Sequence, residues 1–500
     1  MMIFIPANLM RISIDRHNTV PIYLQIENHI RASILSGHLE PGTRLPATRK
    51  LAQDLGVNRN TVENAYAGLE ADGLIAPRLG SGTYVLSHFP KPIDSPISFD
   101  GQWPAWQQKS LSLDGMRMKI QADDNENRDV IRFDNGVGDP AQFPVDEFRK
   151  VLNAVLRRDG ITALDYGDRR GYAPLRETMA HVLASQGLST HADHILVTTG
   201  SQQAISLVVQ SLLVPGDTIL VETPTYTGAL DLFHSLQLNV RGIPIDADGM
   251  QINHVDELIT KTNPKLIYTI PSFHNPTGIC LSSQRRRQLI AVGERHNIPI
   301  LEDDFVGDLR YEGRVQPTLK SLDRGGGVIY TSTFSKMLMP GLRVGFLVAD
   351  GPIYERVLQI KTVHDIATSN FIQRALESFV TVGRYHSHLR RACRRYRNRR
   401  DALVTAIKEF LPAGVQFQVP QGGLFLWLRL PDHIFAEDLL PRAREAGVLY
   451  TPGNWFYLNK TEGKNFIRLN FVAQTTEQIR DGIQRLGIAI KQYKQNVTVK

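Results

Sequence analysis

Apolar segments of strand length alternate with amphipathic segments of helix length between residues 194 and 349. The strand-like segments, each followed by turn residues, read HILVTT, DTILVE, KLIYTIP, IPILEDD, GGVIYTSTFS and VGFLVA. Strands that alternate with helices favour a mainly parallel sheet that is covered on both faces. Because ligands of such sheets bind at the carboxyl ends of the strands, the sequence predicts an α/β domain with its site at that edge.

The residues that follow these strands are polar or aromatic. A glycine turn opens a helix at residues 200–202, and the free N–H groups of a helix N-terminus suit a phosphate. The later strand ends supply a ring, an amide, two carboxylates and an amine, namely Tyr226, Asn275, Asp303, Asp304 and Lys336. Together these groups predict a pocket for a phosphorylated aromatic heterocycle that carries an aldehyde.

The chain begins with a different pattern, which predicts a compact helical segment. Isoleucines spaced four apart between residues 22 and 34 form one face of a helix. Gly56 separates two further short helices, and helix, glycine turn and amphipathic helix together make a helix-turn-helix. Residues 74–85 then read as two strands around a glycine-rich tip at residues 80–82, which is the pattern of a wing.

The positive charge of the chain is concentrated in one segment. The formal net charge is +7, while eight arginines and no acidic residue occur between residues 384 and 400, so the remainder of the chain is about neutral. We interpret this run as a solvated helix face, with a second DNA-contacting surface as the alternative. A smaller basic group lies inside the helix-turn-helix, where Arg44, Arg49, Lys50 and Arg59 face the single acid Asp54.

Cysteine content and hydropathy indicate the compartment. Only Cys280 and Cys393 occur, without metal-ligand spacing, which argues against a disulfide framework and a zinc site and suits a reducing compartment. No apolar run reaches the roughly 18 residues that a membrane-spanning helix needs, and the first ten residues are too few for a secretory signal. We therefore expect a cytoplasmic protein that binds no metal and no membrane.

Residues 17 to 86 resemble the GntR-type winged helix-turn-helix. The resemblance rests on PIYLQI, on the Gly-x-Leu-x-Pro-Gly run from residue 37, on LPATRKLAQDLGVNRNTVENAYAGLEADG and on the Arg-x-Gly-x-Gly-Thr wing from residue 78. Ala47 and Asn58 stand where the pattern commonly has serine. The resemblance implies binding to double-stranded DNA, with base edges read from the third helix and phosphates held by flanking arginines. The DNA-contacting residues would be Arg44, Arg49, Arg59, Asn60, Thr61 and Arg78.

Residues from 131 to about 490 resemble a fold-type I aminotransferase, and the whole chain resembles the MocR subfamily of GntR-type regulators. The motifs occur in family order: T-x-G-S-Q-Q at 198–203, E-x-P-x-Y at 222–226, HNPTG at 274–278, EDD at 302–304 and FIRLNF at 466–471. The lysine motif at 332–336, STFSK, is one residue shorter than the usual pattern. The resemblance implies that pyridoxal 5′-phosphate is the cofactor.

The same resemblance assigns roles to individual residues. Lys336 would hold the cofactor covalently, and Asp303 would pair with its pyridine nitrogen. Asn275 would donate to the ring hydroxyl, and Tyr226 would stack on the ring. The phosphate would be held by Ser201, Gln202, Thr333, Ser335 and Arg343.

Two further residues resemble ones that act on the partner subunit or on the ligand. Tyr166 resembles the tyrosine that reaches the phosphate of the partner subunit, which implies a homodimer. Arg468 resembles the arginine that binds the carboxylate of an amino acid with two parallel hydrogen bonds. The resemblance therefore implies an amine or amino acid as a second ligand.

Three of these residues also have plainer interpretations. A lysine behind hydroxyl residues is on its own usually a surface lysine, and the five motifs in family order are what favour Lys336 as the cofactor residue. Asp304 is favoured as a structural acid over a catalytic one. Arg468 could merely connect two strands, although binding a carboxylate is the favoured interpretation.

One departure from the family bears on catalysis. The family generally has a tyrosine two residues after the pyridine-binding aspartate, and this chain has Phe305. Asn275 is then the remaining side-chain donor to the ring hydroxyl. We expect this change to blunt turnover.

We predict three parts: a DNA-binding domain at 1–87, a linker at 88–130 and an aminotransferase-like domain at 131–500. Within the last part, a large portion would span about 160–380 and a small portion about 385–495. The favoured function is a transcriptional regulator that senses pyridoxal 5′-phosphate or an amino compound reacting with it. The alternative is an active aminotransferase with an accessory DNA-binding head, and residual transaminase activity is compatible with both.

Overall fold

The computed structural model describes Ile12, residues 14–16, 20–78, 80–86 and 129–334, Lys336 and residues 338–497. The predicted linker lies outside the described residues except for residues 129 and 130. The chain separates into two compact units, which are considered one at a time. We call residues 20–86 the head and residues 129–497 the body.

The head consists of three helices and a hairpin. The elements are α1 Ile22–Leu35, α2 Thr48–Leu55, α3 Arg59–Ala71, β1 Ile75–Arg78 and β2 Gly82–Val85. The isoleucines at 26, 30 and 34 are buried and pack against the buried face of α3, which includes Val62 and Leu69. Gly56 ends α2 in the left-handed conformation with φ 61°, which provides the tight turn before α3. The predicted helix-turn-helix is therefore confirmed.

The hairpin forms the predicted wing. Strands β1 and β2 are antiparallel, with Ile75 opposite Val85 and Arg78 opposite Gly82. Gly80 and Gly82 have φ values of 70° and 109°, which a residue with a side chain rarely adopts. The Gly-x-Gly spacing is what allows the strands to reverse direction at the tip.

The body alternates helices with strands. Its helices are α4 Val145–Asp159, α5 Ile161–Leu164, α6 Ala173–Ser185, α7 Ser201–Leu212, α8 Thr227–Ser235, α9 Ile252–Thr262, α10 Ser283–His296, α11 Leu319–Leu322, α12 Pro352–Asp365, α13 Asn370–Thr381, α14 Arg384–Phe410, α15 Ala436–Glu445 and α16 Thr476–Val497. Its strands are β3 Ile131–Arg132, β4 Ile195–Thr198, β5 Thr218–Thr223, β6 Asn239–Asp246, β7 Gly249–Met250, β8 Leu266–Thr269, β9 Ile300–Asp303, β10 Val328–Thr333, β11 Gly345–Val348, β12 Gln416–Phe417, β13 Phe425–Arg429, β14 Val448–Leu449, β15 Thr451–Pro452 and β16 Phe466–Asn470. Short 3₁₀ turns occur at Pro140–Gln142, Ala192–His194, Pro340–Leu342 and Gly453–Phe456.

The central sheet has eight strands in the order β4-β11-β10-β9-β8-β5-β6-β7. The strands from β10 to β6 in this order run parallel to one another. Strand β11 runs antiparallel to both of its neighbours, β10 and β4. The predicted α/β class with a mainly parallel sheet is confirmed, and the reversed strand β11 is the feature that the pattern did not predict.

Both faces of the central sheet are covered, as its alternating side chains show. On β5, Val221 belongs to the larger hydrophobic cluster of the body and Leu220 to a separate smaller one. Tyr268 and Ile267 on β8 divide between the two clusters in the same way. Because neighbouring side chains of a strand point to opposite faces, the two clusters are the two helix layers of the domain.

A second sheet closes the body. It has the order β12-β13-β16-β15 and is antiparallel throughout. The first described strand of the body, β3, pairs in parallel with β14, and the Asn470 N–H donates to the carbonyl of Phe133 just beyond β3. The beginning of the body is therefore attached to its C-terminal elements.

Helix α14 carries the arginine-rich segment. Arg399 is 5% exposed and pairs with Asp139 at 2.7 Å, and Arg400 is 4% exposed and pairs with Glu312 at 2.6 Å. The expectation of a solvated helix face is wrong for these two residues, which lie on the buried side of the helix. Within the described ranges, none of the helices is long and apolar enough to cross a membrane.

Candidate functional site

A cavity of about 490 Å³ lies where β5, β8 and β9 end. Its far wall is formed by Phe425 on β13 and Arg468 on β16, so that both sheets of the body contribute to it. The cavity brings together seven of the predicted site residues: Ser201, Gln202, Tyr226, Asn275, Asp303, Lys336 and Arg468. These residues span the sequence from 201 to 468, and the strand order of the central sheet is what places them side by side.

Asp303 ends β9 at the floor of the cavity and is 2% exposed. The Tyr268 hydroxyl, from the neighbouring strand β8, donates a hydrogen bond of 2.8 Å to its Oδ2 atom. Its Oδ1 atom is buried and accepts no hydrogen bond from any residue that the structure describes. Burial raises the pKa of Asp303 to about 7, although the Tyr268 bond opposes that shift. A positively charged donor in the cavity would restore the carboxylate to its ionised form.

Lys336 follows β10 and lines the same cavity. Burial lowers its pKa to about 8, and the positive charges of Arg468 and Arg343 lower it further while Asp303 opposes them. At pH 7 a group with this pKa is uncharged in about one molecule in ten, compared with fewer than about one in a thousand for an ordinary lysine. The lysine is therefore unusually available as a nucleophile.

The N-terminus of α7 forms another wall of the cavity. Gly200 precedes the helix with φ 126°, and no side chain caps the first turn. A Cβ atom at Gly200 would lie 2.8 Å from the guanidinium of Arg343, so this arginine covers the helix end. Helix N–H groups and an arginine together form a site for a phosphate. Gln202 also reaches this region and donates to the Gly228 carbonyl at 2.8 Å.

Arg468 connects the second sheet to the loop after β8. Its Nη1 donates to Oδ1 of Asn275 at 3.0 Å, and its Nη2 donates to the Asp134 carbonyl at 3.1 Å and to Thr451 Oγ1 at 3.2 Å. Its Nε is buried and has no acceptor among the described residues. Because the carbonyl end of the Asn275 amide is engaged by Arg468, the NH₂ end is left to serve as a donor.

Two aromatic rings hold the Arg468 guanidinium. The guanidinium carbon lies 4.2 Å from the ring centre of Phe425 and 4.9 Å from that of Phe456. Burial lowers the pKa of Arg468 to about 10, which still leaves the side chain positive at neutral pH. Among the described residues, no carboxylate side chain forms a salt bridge with this buried charge. A carboxylate ligand would compensate for the desolvation of the guanidinium.

Tyr226 and Phe305 supply aromatic surface to the cavity. Tyr226 precedes α8, and burial raises its pKa to about 12, so its hydroxyl stays protonated. Phe305 is 7% exposed and packs beside Phe425 with ring centres 6.5 Å apart. Phe305 therefore adds an apolar wall where a tyrosine would have added a hydroxyl donor.

Three of the described residues that were predicted to bind the cofactor, Thr333, Tyr166 and Arg343, do not line this cavity. Thr333 faces a separate small cavity, and its hydroxyl donates to the Val344 carbonyl at 3.2 Å. Tyr166 is 80% exposed and lies beside a surface groove with Asn370. Ser335 lies outside the described residues. Arg343 is not part of the lining but covers the α7 N-terminus from behind Gly200.

The polar groups of the cavity fit the predicted cofactor. The unpartnered Oδ1 of Asp303 suits a protonated pyridine nitrogen, and the α7 N-terminus under Arg343 suits the phosphate. Lys336 lines the same cavity, and its amine is uncharged more often than that of an ordinary lysine. Gly345 allows β11 to pack closely against the turn before α7, because a Cβ atom at Gly345 would lie 2.7 Å from the backbone of Gly200.

Four contributing residues were missed from the sequence: Asp134, Tyr268, Phe425 and Phe456. Tyr268 lies inside the predicted strand KLIYTIP, where the alternation of side chains places it on the same face as Leu266. That alternation was a usable signal for a buried hydroxyl near the strand end. The other three depend on contacts between the two sheets, for which the sequence holds no local signal.

The head presents the predicted DNA-contacting residues around the start of α3. Asn58 caps the helix, and its side-chain oxygen accepts from the Asn60 N–H at 3.0 Å. Ala47, in contrast, provides no side-chain cap for α2. The Arg59 side chain is 62% exposed and pairs with Glu63 at 2.7 Å on the same helix. Asn60 is exposed and Thr61 is half-buried.

The other arginines predicted to contact DNA lie on the wing, on α2 and in the segment before α2. Arg78 is exposed, and its guanidinium lies 4.7 Å from the ring centre of Tyr84. The Arg44 side chain passes close to the wing, since a Cβ atom at Gly82 would lie 2.8 Å from its Nε. Arg49 on α2 is exposed. The head thus displays basic side chains on its second and third helices and on its wing, as DNA-backbone contacts require.

Comparison with protein families gives two matches along the chain. The family of bacterial regulatory proteins, gntR family, matches residues 22–85. The family of aminotransferases class I and II matches residues 129–486. The two matches correspond to the head and to the body.

Two relatives match nearly the whole chain, and a solved aminotransferase matches most of it. The HTH-type transcriptional regulator YdfD of Bacillus subtilis is 32% identical over 479 residues, covering 95% of this chain and 97% of that protein. The probable rhizopine catabolism regulatory protein MocR of Rhizobium meliloti is 32% identical over 477 residues, covering 95% of each chain. Kynurenine aminotransferase of Pyrococcus horikoshii, crystallised with PMP, is 35% identical with a TM-score of 0.70, covering 79% of this chain and 96% of that one.

Proposed function

This chain belongs to the MocR-type regulators, in which a GntR-family winged helix-turn-helix precedes a class I and II aminotransferase domain, and we propose that its body is a sensor. The head is a DNA-binding domain, and the family of the body binds pyridoxal 5′-phosphate. We propose that the body responds to this cofactor or to an amino compound that reacts with it. We propose domain boundaries at residues 1–87 for the DNA-binding domain, 88–130 for the linker and 131–500 for the aminotransferase-like domain.

The observation that supports this proposal most directly is the arrangement of Asp303, Lys336 and Arg468 around one cavity. When bound, pyridoxal 5′-phosphate supplies an aldehyde that reacts with amines and a ring that withdraws electrons. Asp303 would hold the proton on the pyridine nitrogen, and Asn275 would donate to the ring hydroxyl. Lys336 would hold the cofactor, with Tyr226 against its ring. Ser201, Gln202 and Arg343 would bind the phosphate.

The effector end of the cavity is defined by Arg468. Its buried charge and its unpartnered Nε favour a carboxylate, so the proposed effector is an amino acid or a related amino acid-like amine. Binding of that carboxylate would compete with the bonds that Nη2 makes to Asp134 and Thr451. A ligand with different affinities for two conformations of the body would then shift their populations.

Transamination is retained as a second activity because Lys336, Asp303, Asn275 and Arg468 line one cavity, although Phe305 replaces the usual tyrosine. The predicted low turnover follows from that change. A transaminase assay across the common amino acids, on the purified protein, measures this activity independently of DNA binding.

We also propose that the protein is a homodimer. The exposed apolar residues of the body include Ile161 and Leu164 on α5, at 84% and 66% exposure, and Val363 and Ile366 at the end of α12, at 85% and 54%. Such side chains favour burial against another subunit. Tyr166 lies next to α5, where a partner could receive it, as the family resemblance implies. Sedimentation of the cofactor-bound protein at micromolar concentration should give a dimer, and a monomer would contradict this proposal.

The sensor proposal is tested by separating DNA binding from its regulation. The affinity for a duplex from the upstream region of the gene is measured by fluorescence anisotropy at fixed salt, with and without the cofactor and candidate amino acids. Arg59→Ala should weaken binding by about 1–3 kcal/mol, roughly 5- to 150-fold, and leave the cofactor spectrum unchanged. Lys336→Ala should retain DNA binding but lose its response to the amines.

The control is Lys261→Ala, which changes an exposed lysine of the body that is paired with Glu257. It should behave as wild type in both measurements. If Lys336→Ala responds to the amines as the wild type does, the lysine is not part of the sensor and the proposal fails.

A further inference from the structure

A second cavity lies on the other side of the loop that carries Asn275. It has a volume of about 330 Å³, within the range of small-molecule sites. One wall is the loop from Thr277 to Ser282, and the facing wall is the segment from Gln418 to Gln421 that connects β12 to β13. We call this space the Arg310 cleft, after the charged residue on its wall. None of the residues assigned to the cofactor or effector site lines it.

Arg310 is the feature of this cleft that lacks a structural explanation. Its side chain forms no hydrogen bond or salt bridge with any residue that the structure describes, and its Nε is buried. The guanidinium lies 4.8 Å from the ring centre of Phe273, which fixes its plane without satisfying its N–H groups. A buried donor without an acceptor is costly, and native structures seldom retain one without a reason.

A second arginine, Arg286, lies near enough to Arg310 for their charges to repel. Arg286 is fully buried and approaches Glu302 only to 4.0 Å, while its other contacts are carbonyl groups and the Ser272 hydroxyl. Burial lowers the pKa of Arg286, and the positive charge of Arg310 adds to that lowering. Asp248 is the one acidic residue in the lining, and it lies exposed at the rim. Arg286 lies outside the lining, and the carboxylates of Glu302 and Asp304 oppose the lowering of its pKa. Arg310 is therefore the one basic residue that lines the cleft.

The other lining residues are polar and uncharged. Gln316, Gln418 and Gln421 contribute amides, and Thr277 and Ser282 contribute hydroxyls. Of these, Gln418 and Gln421 are exposed on the segment before β13, so their amides can turn towards a ligand. One arginine surrounded by neutral hydrogen-bonding groups is a typical arrangement for binding a small oxyanion.

We propose that the Arg310 cleft binds a small anion through a carboxylate or phosphate group, with Arg310 as the charged contact and the glutamine amides as neutral contacts. This site is independent of the cofactor and effector roles proposed above. The Arg310 guanidinium forms charge-assisted hydrogen bonds with the oxyanion.

The test is isothermal titration calorimetry on the full chain with two probes, inorganic phosphate and succinate. The protein is first saturated with pyridoxal 5′-phosphate, so that a phosphate probe does not report on the cofactor site. Saturable binding of one anion per chain is expected for at least one probe, and which probe binds decides between phosphate and carboxylate. The titration is repeated without the cofactor, where the same binding is expected even if the cofactor proposal is wrong.

Three variants locate the site. Arg310→Gln should weaken the anion about tenfold or more, because it removes the charge-assisted hydrogen bonds. Arg314→Gln is the matched control, since Arg314 is an exposed arginine four residues away, and it should bind as wild type. Gln418→Glu places a negative charge at the mouth of the cleft on an exposed residue, so it should weaken binding without disturbing the fold.

The outcomes are distinct. The absence of saturable binding of both probes would overturn the proposal, and so would unchanged affinity in Arg310→Gln, which would place the anion elsewhere. A loss in Arg310→Gln without a loss in Gln418→Glu would show that Arg310 acts outside the cleft, which also overturns it. Thermal unfolding of each variant near the wild-type midpoint ensures that a loss of binding is not a loss of folding.

Discussion

The Tyr268 hydroxyl donates a hydrogen bond of 2.8 Å to Oδ2 of Asp303 across two neighbouring parallel strands. The bond engages one carboxylate oxygen and leaves the other, Oδ1, directed at no group among the described residues. This hydrogen bond fixes the orientation of the buried carboxylate, but it compensates only part of the cost of removing the charge from water.

Asp303→Asn should flatten the dependence of stability on pH in the cofactor-free protein. The pKa of Asp303 is raised to about 7 in the folded state, so the native state holds the proton more tightly than the unfolded state does. The favourable contribution is complete below the ordinary carboxyl pKa of 3.8 and is lost as pH rises through about 7. At about 1.4 kcal/mol per pKa unit, the loss is a few kcal/mol.

Thermal unfolding between pH 4 and pH 8 measures this effect. Burial also raises the pKa of Glu302 to about 7 and of Asp304 to about 6, so part of the slope should remain in the variant. Asp146→Asn, at an exposed acid on α4, should leave the slope unchanged. An equal slope in Asp303→Asn and wild type would show that the buried carboxylate is not responsible.

Lys336→Ala should remove the yellow colour of the purified protein, or leave only freely exchangeable cofactor. The reason is that Lys336 is the lysine that lines the cavity and has its pKa lowered to about 8. The absorption spectrum after gel filtration measures the retained cofactor. Reduction with borohydride followed by peptide mass spectrometry should place the label on Lys336 in the wild type, and a label on another lysine would contradict the assignment.

Arg468→Lys should weaken binding of amino acids much more than binding of amines that lack a carboxylate. A lysine keeps the charge but cannot form the paired hydrogen bonds of a guanidinium, and it loses the position between Phe425 and Phe456. A loss of about 1.5–3 kcal/mol, roughly 10- to 100-fold, is expected for the carboxylate ligands. Spectral titration of the cofactor band with matched pairs of amino acid and amine measures the difference, and equal losses for both members of a pair would exclude a carboxylate role.

Gly345→Ala should destabilise the body and weaken cofactor binding together. A Cβ atom at this position would lie 2.7 Å from the Gly200 backbone and 2.9 Å from the Ser201 nitrogen, so the N-terminus of α7 would have to move. Overpacking of this kind typically costs about 1–3 kcal/mol. Gly341→Ala is the matched control, because a Cβ atom there meets nothing within 4 Å. The thermal midpoint and the cofactor affinity are measured for both variants. Gly345→Ala should lower both quantities, and Gly341→Ala should lower neither.

The sequence predicted those residues of the cavity that directly follow a strand. Gly200 before α7, the amide before Pro276 and the acid that ends β9 each follow their strand directly, and parallel strands bring such residues to one edge. Tyr268 could have been included, since its position in β8 fixes its face. These residues required only the strand pattern.

The sequence failed where position depends on distant contacts. The phosphate role of Thr333 stays a prediction; β11 runs antiparallel to β10, and the Thr333 hydroxyl donates to the carbonyl of Val344, the residue just before β11. The direction of β11 is a property of the sheet and is not visible in VGFLVA. Arg399 was expected at a solvated surface, but its partner Asp139 is 260 residues away. Only the folded body brings such pairs together.

The Asp134 carbonyl lies two residues beyond β3, the first strand of the body in sequence order. It accepts hydrogen bonds from both Arg468 and Thr451. The arginine that faces the cavity therefore also binds the main chain just after β3. A carboxylate ligand that draws the guanidinium towards itself should weaken the hydrogen bond from Nη2 to the Asp134 carbonyl. A ligand that leaves Nη2 in place should preserve it. The ligand site and the first residues of the body therefore belong to one hydrogen-bond network, and we expect a ligand that moves the Arg468 guanidinium to change how the main chain at Asp134 is held.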